Sequence, residues 1–415
     1  MSILVYGASG FTGALVARGL YRYLDQRRRS EPSAPAPSLI LGGRDRDRLA
    51  AVAAGLERLG RELSAAAGAA EAEPDARVPI ELRVAPVHDA EALDRTLDGV
   101  ELVCACAGPF AQVGEPVVAA AVRAGVTYVD ICSEQAFLRD IYEHYESPAR
   151  TRNTLVLSGM GFEIALGDLG AAVAARAVAG AQAAGPHTGD EVGPVYELDE
   201  VGVYYALNRF RPTAGSHMAA AEGLTGPSWV WQRDRWDPVA PLSERRELDF
   251  GPKVGRRALL SFPSGEVITV PRHVHTRRVQ TYVSLLDTGP LGDALTRVAR
   301  LVSPAVPALL RGALGAQARA YRPRRAPTEE DRKFASFAVA AEARTGARRA
   351  RITFTGADPY GLSAAIACWS VEALLERRRR GELPAGVLAP AEVFDPDQAL
   401  RAIATRWRLD VDRRF

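Results

Sequence analysis

Lysine is nearly absent from this chain of 415 residues, whereas arginine is abundant. Of the 52 lysine and arginine residues, only Lys253 and Lys333 are lysines. Asp249 and Glu329 occupy the positions four residues before them, so neither lysine completes a Tyr-x-x-x-Lys pair. A mechanism centred on a lysine, through a Schiff base or such a pair, therefore has almost no place in this sequence.

Cysteine is also scarce, and its four copies lack the paired spacing that is typical of a zinc site. Cys104 and Cys106 alternate within an apolar strand pattern, which predicts reduced thiols in a core. The N-terminus lacks the charged and apolar regions of a secretory signal, and no apolar stretch reaches the ~20 residues of a membrane span. We therefore expect a cytoplasmic protein, soluble or peripheral at a membrane.

Neither sign of charge dominates, since the formal net charge is +2. A nucleic-acid-binding surface is therefore not expected. The hydrophobic share of 47% and the charged share of 25% are ordinary for a globular enzyme. The length exceeds what one compact core usually contains and predicts two domains.

A glycine-rich turn stands near the start of the chain. Residues 7–13 (GASGFTG) follow the apolar run 3–6 and precede the helical pattern of Leu15, Val16 and Leu20. This order of strand, turn and helix predicts a dinucleotide pyrophosphate site, because glycines allow close approach and a helix N-terminus attracts negative charge. An ordinary strand-to-helix turn is the alternative. The candidate cofactor-binding residues here are Gly7, Ser9, Gly10, Phe11, Thr12 and Gly13.

The next predicted strand, 39–43, ends where an NAD enzyme usually places an acidic residue against the ribose hydroxyl. This chain has Gly43 and Arg44 there, with Arg46 and Arg48 close behind. A guanidinium can pair with a 2′-phosphate, so NADP(H) is favoured over NAD, with Gly43, Arg44 and Arg48 as candidate contacts. A solvated loop charge is the alternative for Arg44.

Strand and helix patterns continue to alternate up to Ser158. They predict an α/β Rossmann domain with a doubly wound parallel sheet, whose ligand lies at the carboxyl ends of the strands. We expect the nicotinamide beside the small residues Ala107, Gly108 and Pro109. The further strands are predicted over 80–84, 101–107, 125–131 and 154–158.

From Gly161 onward the pattern becomes mixed α+β and predicts a second domain with a largely antiparallel sheet. The segment 285–325 contains two apolar helical stretches with several arginines. These helices cover a substrate cavity or, alternatively, lie on an anionic membrane surface. The predicted strands are 201–207, 258–262, 267–270, 279–286 and a hairpin over 334–354 that turns at 345–346.

A reductase needs a proton donor beside the hydride supplied by its cofactor. The catalytic candidates are Tyr205, His217 and Glu134, and each has a structural alternative as a core, surface or helix-capping residue. Tyr204 and Tyr205 are neighbours on a predicted strand, so at most one faces a cleft. His273 and His275 would share a face if their strand continued, but no third ligand accompanies them, so no metal site is predicted.

Short motifs recur along most of the chain in a specific order. Besides the glycine turn they are Gly43-Arg44, 107–110 (AGPF), 114–118 (GEPVV), 128–130 (YVD) with Glu134, 161–163 (GFE) with 168–170 (DLG), 356–361 (GADPYG) and 386–390 (GVLAP). In this order they resemble the saccharopine-dehydrogenase-like oxidoreductases, a family that includes trans-acting enoyl reductases. The resemblance implies NADP, a Rossmann domain over 1–160, an inserted α+β domain over 161–355, and a segment 356–415 that packs back on the Rossmann domain.

The leading hypothesis is an NADPH-dependent reductase of an activated C=C bond in an apolar acyl or specialised-metabolite substrate, either small or carrier-bound. The enoyl part comes from the resemblance. One alternative is a saccharopine-type imine reductase or amino-acid dehydrogenase, with Arg209, Arg211, Arg233 or Arg272 binding substrate carboxylates. Another is a catalytically silent NADP-binding scaffold that docks at a membrane or carrier through 285–325. A homodimer is the default assembly.

Overall fold

The computed structural model describes residues 1–33, 36–66, 77–179, 198–284 and 326–415. The chain divides into two compact units, which we call the first and the second unit. The first unit comprises Met1–Ile131, Asp140–Gly161 and Ser363–Leu388. The second unit comprises Cys132–Arg139, Phe162–Leu362 and Ala389–Phe415. Within the segment 356–415, Ser363–Leu388 belongs to the first unit and the remaining residues belong to the second. That this segment packs back on the Rossmann domain stays a prediction.

Sixteen strands lie in the described residues, and apolar residues fill most of them. They are β1 (Ser2–Tyr6), β2 (Ser38–Gly43), β3 (Ile80–Val84), β4 (Leu102–Ala105), β5 (Thr127–Asp130), β6 (Leu155–Leu157), β7 (Glu200–Asn208), β8 (Trp229–Gln232), β9 (Arg235–Pro238), β10 (Arg245–Asp249), β11 (Arg256–Ser261), β12 (Arg278–Ser284), β13 (Ser336–Thr345), β14 (Arg348–Ala357), β15 (Gly386–Leu388) and β16 (Asp410–Arg414).

Thirteen α-helices, some of them a single turn, connect these strands within the same described ranges. They are α1 (Phe11–Ser30), α2 (Arg46–Ala66), α3 (Ala90–Thr96), α4 (Phe110–Val113), α5 (Glu115–Ala124), α6 (Gln135–Thr151), α7 (Phe162–Ala179), α8 (Ala214–Thr225), α9 (Glu266–Thr269), α10 (Glu329–Phe334), α11 (Pro359–Arg380), α12 (Pro390–Val393) and α13 (Pro396–Trp407).

The first unit contains a parallel sheet of seven described strands in the order β15-β6-β5-β4-β1-β2-β3. Its central strands β1, β4 and β5 are almost completely buried, and β1 and β4 are largely apolar, as expected where helices cover both faces of a parallel sheet. The strand order reverses beside β1, whose neighbours are β2 and β4. The predicted doubly wound Rossmann sheet is therefore confirmed, and its switch point lies at β1.

The second unit contains a mixed sheet in the order β10-β11-β12-β7-β13-β14-β16, with β8 and β9 attached at β12. The predicted hairpin is confirmed as β13 and β14, which turn at Gly346 with φ of +55°. Most pairs are antiparallel, but the central strands β7 and β12 run parallel. The second unit is thus α+β, with one parallel pair inside an otherwise antiparallel sheet.

One predicted strand is wrong. Residues 267–270 lie in the single-turn helix α9 and in the 3-10 turn Val270–Arg272 that follows it. Every residue of α9 is buried. A short, fully buried apolar run has no period that would distinguish a helical turn from a strand, so the tertiary environment decides.

Helix α7 covers one face of the second sheet, and almost all its residues are buried. A Cβ at Gly170 would lie 3.1 Å from the Cβ of Ala341, so this glycine allows close approach of helix and sheet. Tyr204 belongs to a core cluster on the opposite face, where its ring stacks on Tyr282 at 5.2 Å. Tyr205 points toward α7, which confirms that the two tyrosines face opposite sides.

None of the described helices is both long and apolar enough to cross a membrane. The segment 285–325, for which a membrane-surface role is an alternative, lies outside the described residues.

Candidate functional site

The glycine-rich turn lies between β1 and α1 and is too closely packed to admit a side chain at its first and third glycines. Gly7 has φ of +83°, and a Cβ there would lie 2.6 Å from the backbone nitrogen of Ala107. A Cβ at Gly13 would collide with the carbonyl oxygen of Gly7. The first and third glycines are therefore required by the turn itself and by the position of α1 against it.

Helix α1 begins without a side-chain cap. Gly10 is its N-cap residue, and the first turn contains no acidic side chain. The positive end of this helix of 20 residues therefore faces the turn without a built-in negative charge. Such a helix N-terminus suits a pyrophosphate group.

Two arginines and a glycine border this turn at the end of β2. The Nη2 atom of Arg48 donates to the carbonyl oxygen of Ser9 at 3.3 Å, and a Cβ at Gly43 would lie 3.8 Å from Ser9 Oγ. Arg44 is exposed directly after β2. Burial raises the pKa of Tyr6 to about 12, and the nearby charge of Arg44 opposes that shift. The positive charge thus lies at the carboxyl ends of β1 and β2.

The turn after β4 contacts the same place. Ala107 is the residue that a Cβ on Gly7 would strike, and the amide of Cys106 donates to the carbonyl of Tyr6 at 2.8 Å. The Gly108–Pro109 bond that follows is cis. The structure therefore brings the predicted cofactor residues of three turns to one edge of the sheet, where open α/β sheets bind ligands. That they bind NADP(H) stays a prediction.

Asp130, at the end of β5, is completely buried and fully engaged. Its carboxylate accepts a hydrogen bond from the Ser158 hydroxyl, whose oxygen lies 2.7 Å and 2.8 Å from the two carboxylate oxygens, and another from the Gly159 amide at 2.9 Å. A buried carboxylate with such donors fixes the turn after β6 in place.

Glu134 directly precedes α6 and is partly exposed. Its amide donates to Cys132 Sγ at 3.1 Å, and its carbonyl accepts from the amide of Leu138. The backbone of Glu134 thus belongs to the helix start, and its catalytic role stays a prediction. The neighbouring Ser133 has a more specific partner, because its hydroxyl donates to the carboxylate of Glu163.

Glu163 lies in the first turn of α7 and remains partly exposed. Burial raises its pKa, and the hydrogen bond from Ser133 opposes that shift. The Tyr205 hydroxyl donates to the main-chain carbonyl of Glu163 at 3.2 Å. The structure therefore places the catalytic candidate Tyr205 against the main chain of Glu163, a residue that the sequence does not single out as a site residue.

Glu266, the first residue of α9, is completely buried on the same side of the sheet. A Cβ at Gly167 would contact both Glu266 Oε1 and the Tyr205 hydroxyl, the latter at 2.9 Å. Burial raises the pKa of Glu266 well above its ordinary value. A hydrogen bond from the main-chain amide of Glu266 itself opposes this shift, and the negative charges of Glu163 and Asp168 increase it. We call Glu163 and Glu266 the carboxyl pair.

His217 lies in the first turn of α8 next to a network of hydroxyl groups, and it is partly exposed. The amide of Thr213 donates to the Tyr360 hydroxyl at 2.8 Å, which donates to Ser216 Oγ at 2.9 Å. Burial raises the pKa of Tyr360, its bonds to Ser216 and Thr213 oppose the shift, and the charge of Glu163 adds to it. His217 thus follows Ser216, a member of this network, and its contact with substrate stays a prediction.

His273 and His275 do not form the continuous strand that would align them. His273 follows the 3-10 turn, is buried, and bonds through Nε2 to Asp168 Oδ1 at 2.8 Å, whereas His275 is exposed. The other oxygen of Asp168 accepts from the amide of Ala391 at 2.9 Å. Among the described residues, no group of three or more His, Cys, Asp or Glu side chains is arranged to hold a metal ion.

The sequence contains a signal for some of the residues that pattern reasoning misses. Glu163 and Tyr360 stand inside the motifs 161–163 and 356–361 that support the family resemblance, although the motifs alone indicate no role for them. Glu266 stands next to a short apolar run that predicts a strand, so nothing in the local pattern indicates a site. Only the packing of α9 beneath α7 brings it to Tyr205.

No protein-family model matches the sequence. The chain is 30% identical over 168 residues to the saccharopine dehydrogenase-like oxidoreductase of Rattus norvegicus. The matched residues make up 40% of this chain and 36% of that protein. It is 28% identical over 167 residues to the trans-acting enoyl reductase of Mycobacterium leprae, 40% of this chain and 34% of that protein. The match therefore spans about a third of the length of these curated relatives.

Among solved structures, the chain is similar to apo saccharopine dehydrogenase (L-Glu forming) from Saccharomyces cerevisiae. The TM-score is 0.57 at 14% identity, with 100% of both chains covered. At this identity the likeness shows a common fold. Together with the curated relatives, it confirms the resemblance to saccharopine-dehydrogenase-like oxidoreductases that the motifs predict.

Proposed function

We propose that this protein is an NADPH-dependent oxidoreductase that reduces an activated double bond. The observation that carries the proposal is the glycine turn, whose first and third glycines are sterically required and whose helix begins without an acidic side chain. Bound NADPH would supply hydride. The residues of the chain would bind the pyrophosphate through the amides at the start of α1 and place the nicotinamide beside Ala107 and Pro109.

The choice of NADPH over NADH rests on Arg44 and Arg48. The Arg48 guanidinium contacts the carbonyl of Ser9, and Arg44 directly follows β2 with its charge near Tyr6. A ribose 2′-phosphate would carry negative charge at this place. A guanidinium binds phosphate oxygens through several donors and loses little hydration in doing so. A bare ribose hydroxyl offers no comparable partner for this charge.

The acceptor that we propose is an activated C=C bond in an apolar acyl or specialised-metabolite substrate, small or carrier-bound. Support comes from the relative named trans-acting enoyl reductase, whose match covers 40% of this chain. Tyr205, His217 and Glu134 remain the proposed sources of the proton that such a reduction consumes. A cytoplasmic location, a homodimer and peripheral contact through 285–325 are part of the same proposal.

The imine-reductase alternative needs free cations to bind substrate carboxylates. Arg272 is paired with Glu392 at 2.8 Å, and Arg211 with Asp331 at 3.2 Å. Arg209 is exposed beside Arg211 at a surface groove of about 420 Å³. The half-buried ion pair therefore weakens the case for Arg272, because a substrate would first have to displace Glu392. The exposed pair of Arg211 is weak, so this alternative is carried by Arg209, Arg211 and Arg233.

Calorimetric titration with NADPH and NADH tests the cofactor directly. In Arg44→Asp we expect NADPH affinity to fall roughly 10- to 100-fold, because a charge-assisted contact is replaced by repulsion, while NADH affinity changes little. Arg58→Asp is the matched control, since Arg58 is exposed on α2 and away from its first turn. Equal losses for both cofactors would remove the reason for NADP, and absence of binding would overturn the function.

If NADPH binds, a panel of enoyl thioesters and cyclic imines tests the acceptor under the same conditions. Turnover with enoyl thioesters alone supports the proposal, whereas turnover with imines alone replaces it by the imine-reductase alternative. Tight NADPH binding without turnover on either class would favour the scaffold alternative.

A further inference from the structure

Strand β16 is an exposed edge of the second sheet. It pairs with β14 on one side, and no strand of the described ranges pairs with its other side. All five of its residues, Asp410–Arg414, are exposed. The main-chain amides and carbonyls of such an edge can pair with a further strand, and proteins usually prevent this by covering the edge or by placing repelling charges on it.

The edge carries apolar surface as well as charge. Val411 is 39% exposed and Phe415 is 62% exposed, which makes them two of the four exposed large hydrophobic residues in the described part of the chain. Together with Arg413 they occupy every second position and so lie on one face, where the Arg413 guanidinium lies 5.9 Å from the centre of the Phe415 ring. An edge that only repels other strands would not expose these two apolar side chains.

The charges of β16 are balanced. On the face opposite Val411, Arg414 Nε contacts the Asp412 carboxylate at 2.9 Å. On the face of Val411, the Arg413 guanidinium is paired with Asp397 of α13, also at 2.9 Å. Exposed ion pairs of this kind are weak and exchange partners readily, so they do not prevent a strand of complementary charge from binding.

A second copy of this chain supplies such a strand. When two copies of β16 pair antiparallel about a twofold axis at Arg413, Asp412 lies opposite the partner's Arg414, and Val411 lies opposite the partner's Phe415. The symmetry repeats each pair once. Opposite charges and apolar residues that face each other both stabilise an antiparallel pair. The two Arg413 side chains meet at the axis, where each remains neutralised by its own Asp397.

Neither the neighbouring register nor the other edge of the sheet fits as well. With the axis at Asp412, the two Asp412 carboxylates face each other and Val411 lies opposite an arginine. The other edge, β10, also has an ion pair between alternate residues, Arg245 and Glu247 at 2.6 Å, but none of its exposed residues is a large hydrophobic one. Strand β16, in the register centred on Arg413, is therefore the edge that complements itself.

We propose that two copies of this chain pair through β16 in this register, so that their second-unit sheets form one continuous sheet. The proposal gives the homodimer of the proposed function its interface, and it rests on that homodimer rather than on the cofactor or the acceptor. Five strand residues from each copy form a small interface, below the ~1,200–2,000 Å² that stable complexes bury, so we expect a dissociation constant in the micromolar range.

Sedimentation of the full chain over roughly 1–200 μM measures the association. We expect a monomer–dimer equilibrium whose dissociation constant rises roughly 10-fold or more in Asp412→Arg, because arginines then face each other twice. The double variant Asp412→Arg/Arg414→Asp should restore it, since opposite charges meet again in this register but not with the axis at Asp412. Glu247→Arg is the matched control, because it makes the same change of charge at the ion pair of β10.

Three results would overturn this interface. They are a wild-type protein that stays monomeric over the whole range, an Asp412→Arg variant that associates as the wild type does, and an equal loss of association in Glu247→Arg. Failure of the double variant to recover would overturn the register. We expect Asp412→Arg to bind NADPH as the wild type does in calorimetry, so a failed interface and a failed cofactor proposal are distinguishable.

Disulfide trapping tests the register by an independent route. Under mild oxidation we expect Arg413→Cys to form a covalent dimer, because its thiol lies opposite the same thiol of the partner at the axis. Asp410→Cys is the matched control, since that position lies farther from the axis on the same strand, and the wild type shows the background from the four native cysteines. Equal cross-linking of Arg413→Cys and Asp410→Cys, or stronger cross-linking of Asp412→Cys, would contradict this register.

Discussion

The two units arrange their polar groups in opposite ways. In the first unit, the candidate binding groups are main-chain amides at the start of α1 and the surface guanidinium groups of Arg44 and Arg48. In the second unit, they are the buried or half-buried carboxyl pair and the Tyr205 hydroxyl. Amides and surface charges suffice to bind an anion, whereas moving a proton needs a group whose pKa its surroundings shift. The proposed cofactor recognition and the proposed acid–base chemistry thus place different demands on the two units.

The largest effect is expected from a side chain in the glycine turn. Gly7→Val combines an unfavourable positive φ with a clash against the backbone of Ala107, so we expect a loss of about 3 kcal/mol in the free energy of unfolding and loss of NADPH binding. Chemical denaturation and calorimetry measure both effects. Gly99→Ala is the control, because Gly99 also has positive φ but a Cβ there would meet no atom within 4 Å. An equal loss in both variants would show that strain alone, without close packing, governs the turn.

A buried acid of the first unit provides a direct contrast with Glu266. Asp130→Asn replaces an acceptor for two donors, the Ser158 hydroxyl and the Gly159 amide, by an amide whose NH2 group meets donors, so we expect a loss of about 2 kcal/mol in the free energy of unfolding. Asp140→Asn, at an exposed position of the same unit, should change it by less than about 0.5 kcal/mol. If Asp130→Asn proved as mild as Asp140→Asn, the hydrogen bonds to the Asp130 carboxylate would contribute little to stability.

The smallest effect on stability is expected at Tyr205, whose neighbour Tyr204 faces the opposite side of β7. Tyr205→Phe removes one hydrogen bond to the Glu163 carbonyl and should lower the free energy of unfolding by about 1 kcal/mol, while reducing kcat more than cofactor affinity. Tyr204→Phe is the matched control on the opposite face of β7. Steady-state kinetics distinguishes them, and an unchanged kcat in Tyr205→Phe would exclude its hydroxyl from proton transfer.

The sequence predicts a secondary-structure element correctly where its local pattern fits only one type of element. The apolar pattern predicts strand 80–84 with the bounds that β3 has, and the predicted hairpin turns where Gly346 makes the turn. The prediction of a strand at 267–270 is wrong, because a run of four buried residues has no hydrophobic periodicity that distinguishes a strand from a helical turn. The pattern does not indicate the short strands β8, β9 and β16, since they are stabilised by pairing with distant strands.

The glycine turn, the basic residues after β2 and the doubly wound sheet can all be inferred from the chain, because each depends on residues that are neighbours in the sequence. Packing alone establishes that Tyr205 faces α7, that Glu163 and Glu266 lie beside it, and that Glu266 has no counter-charge among the described residues. The physical reason is that burial and the loss of hydration belong to the packed environment. A glutamate is charged or neutral according to the groups that surround it, and those groups come from distant parts of the chain.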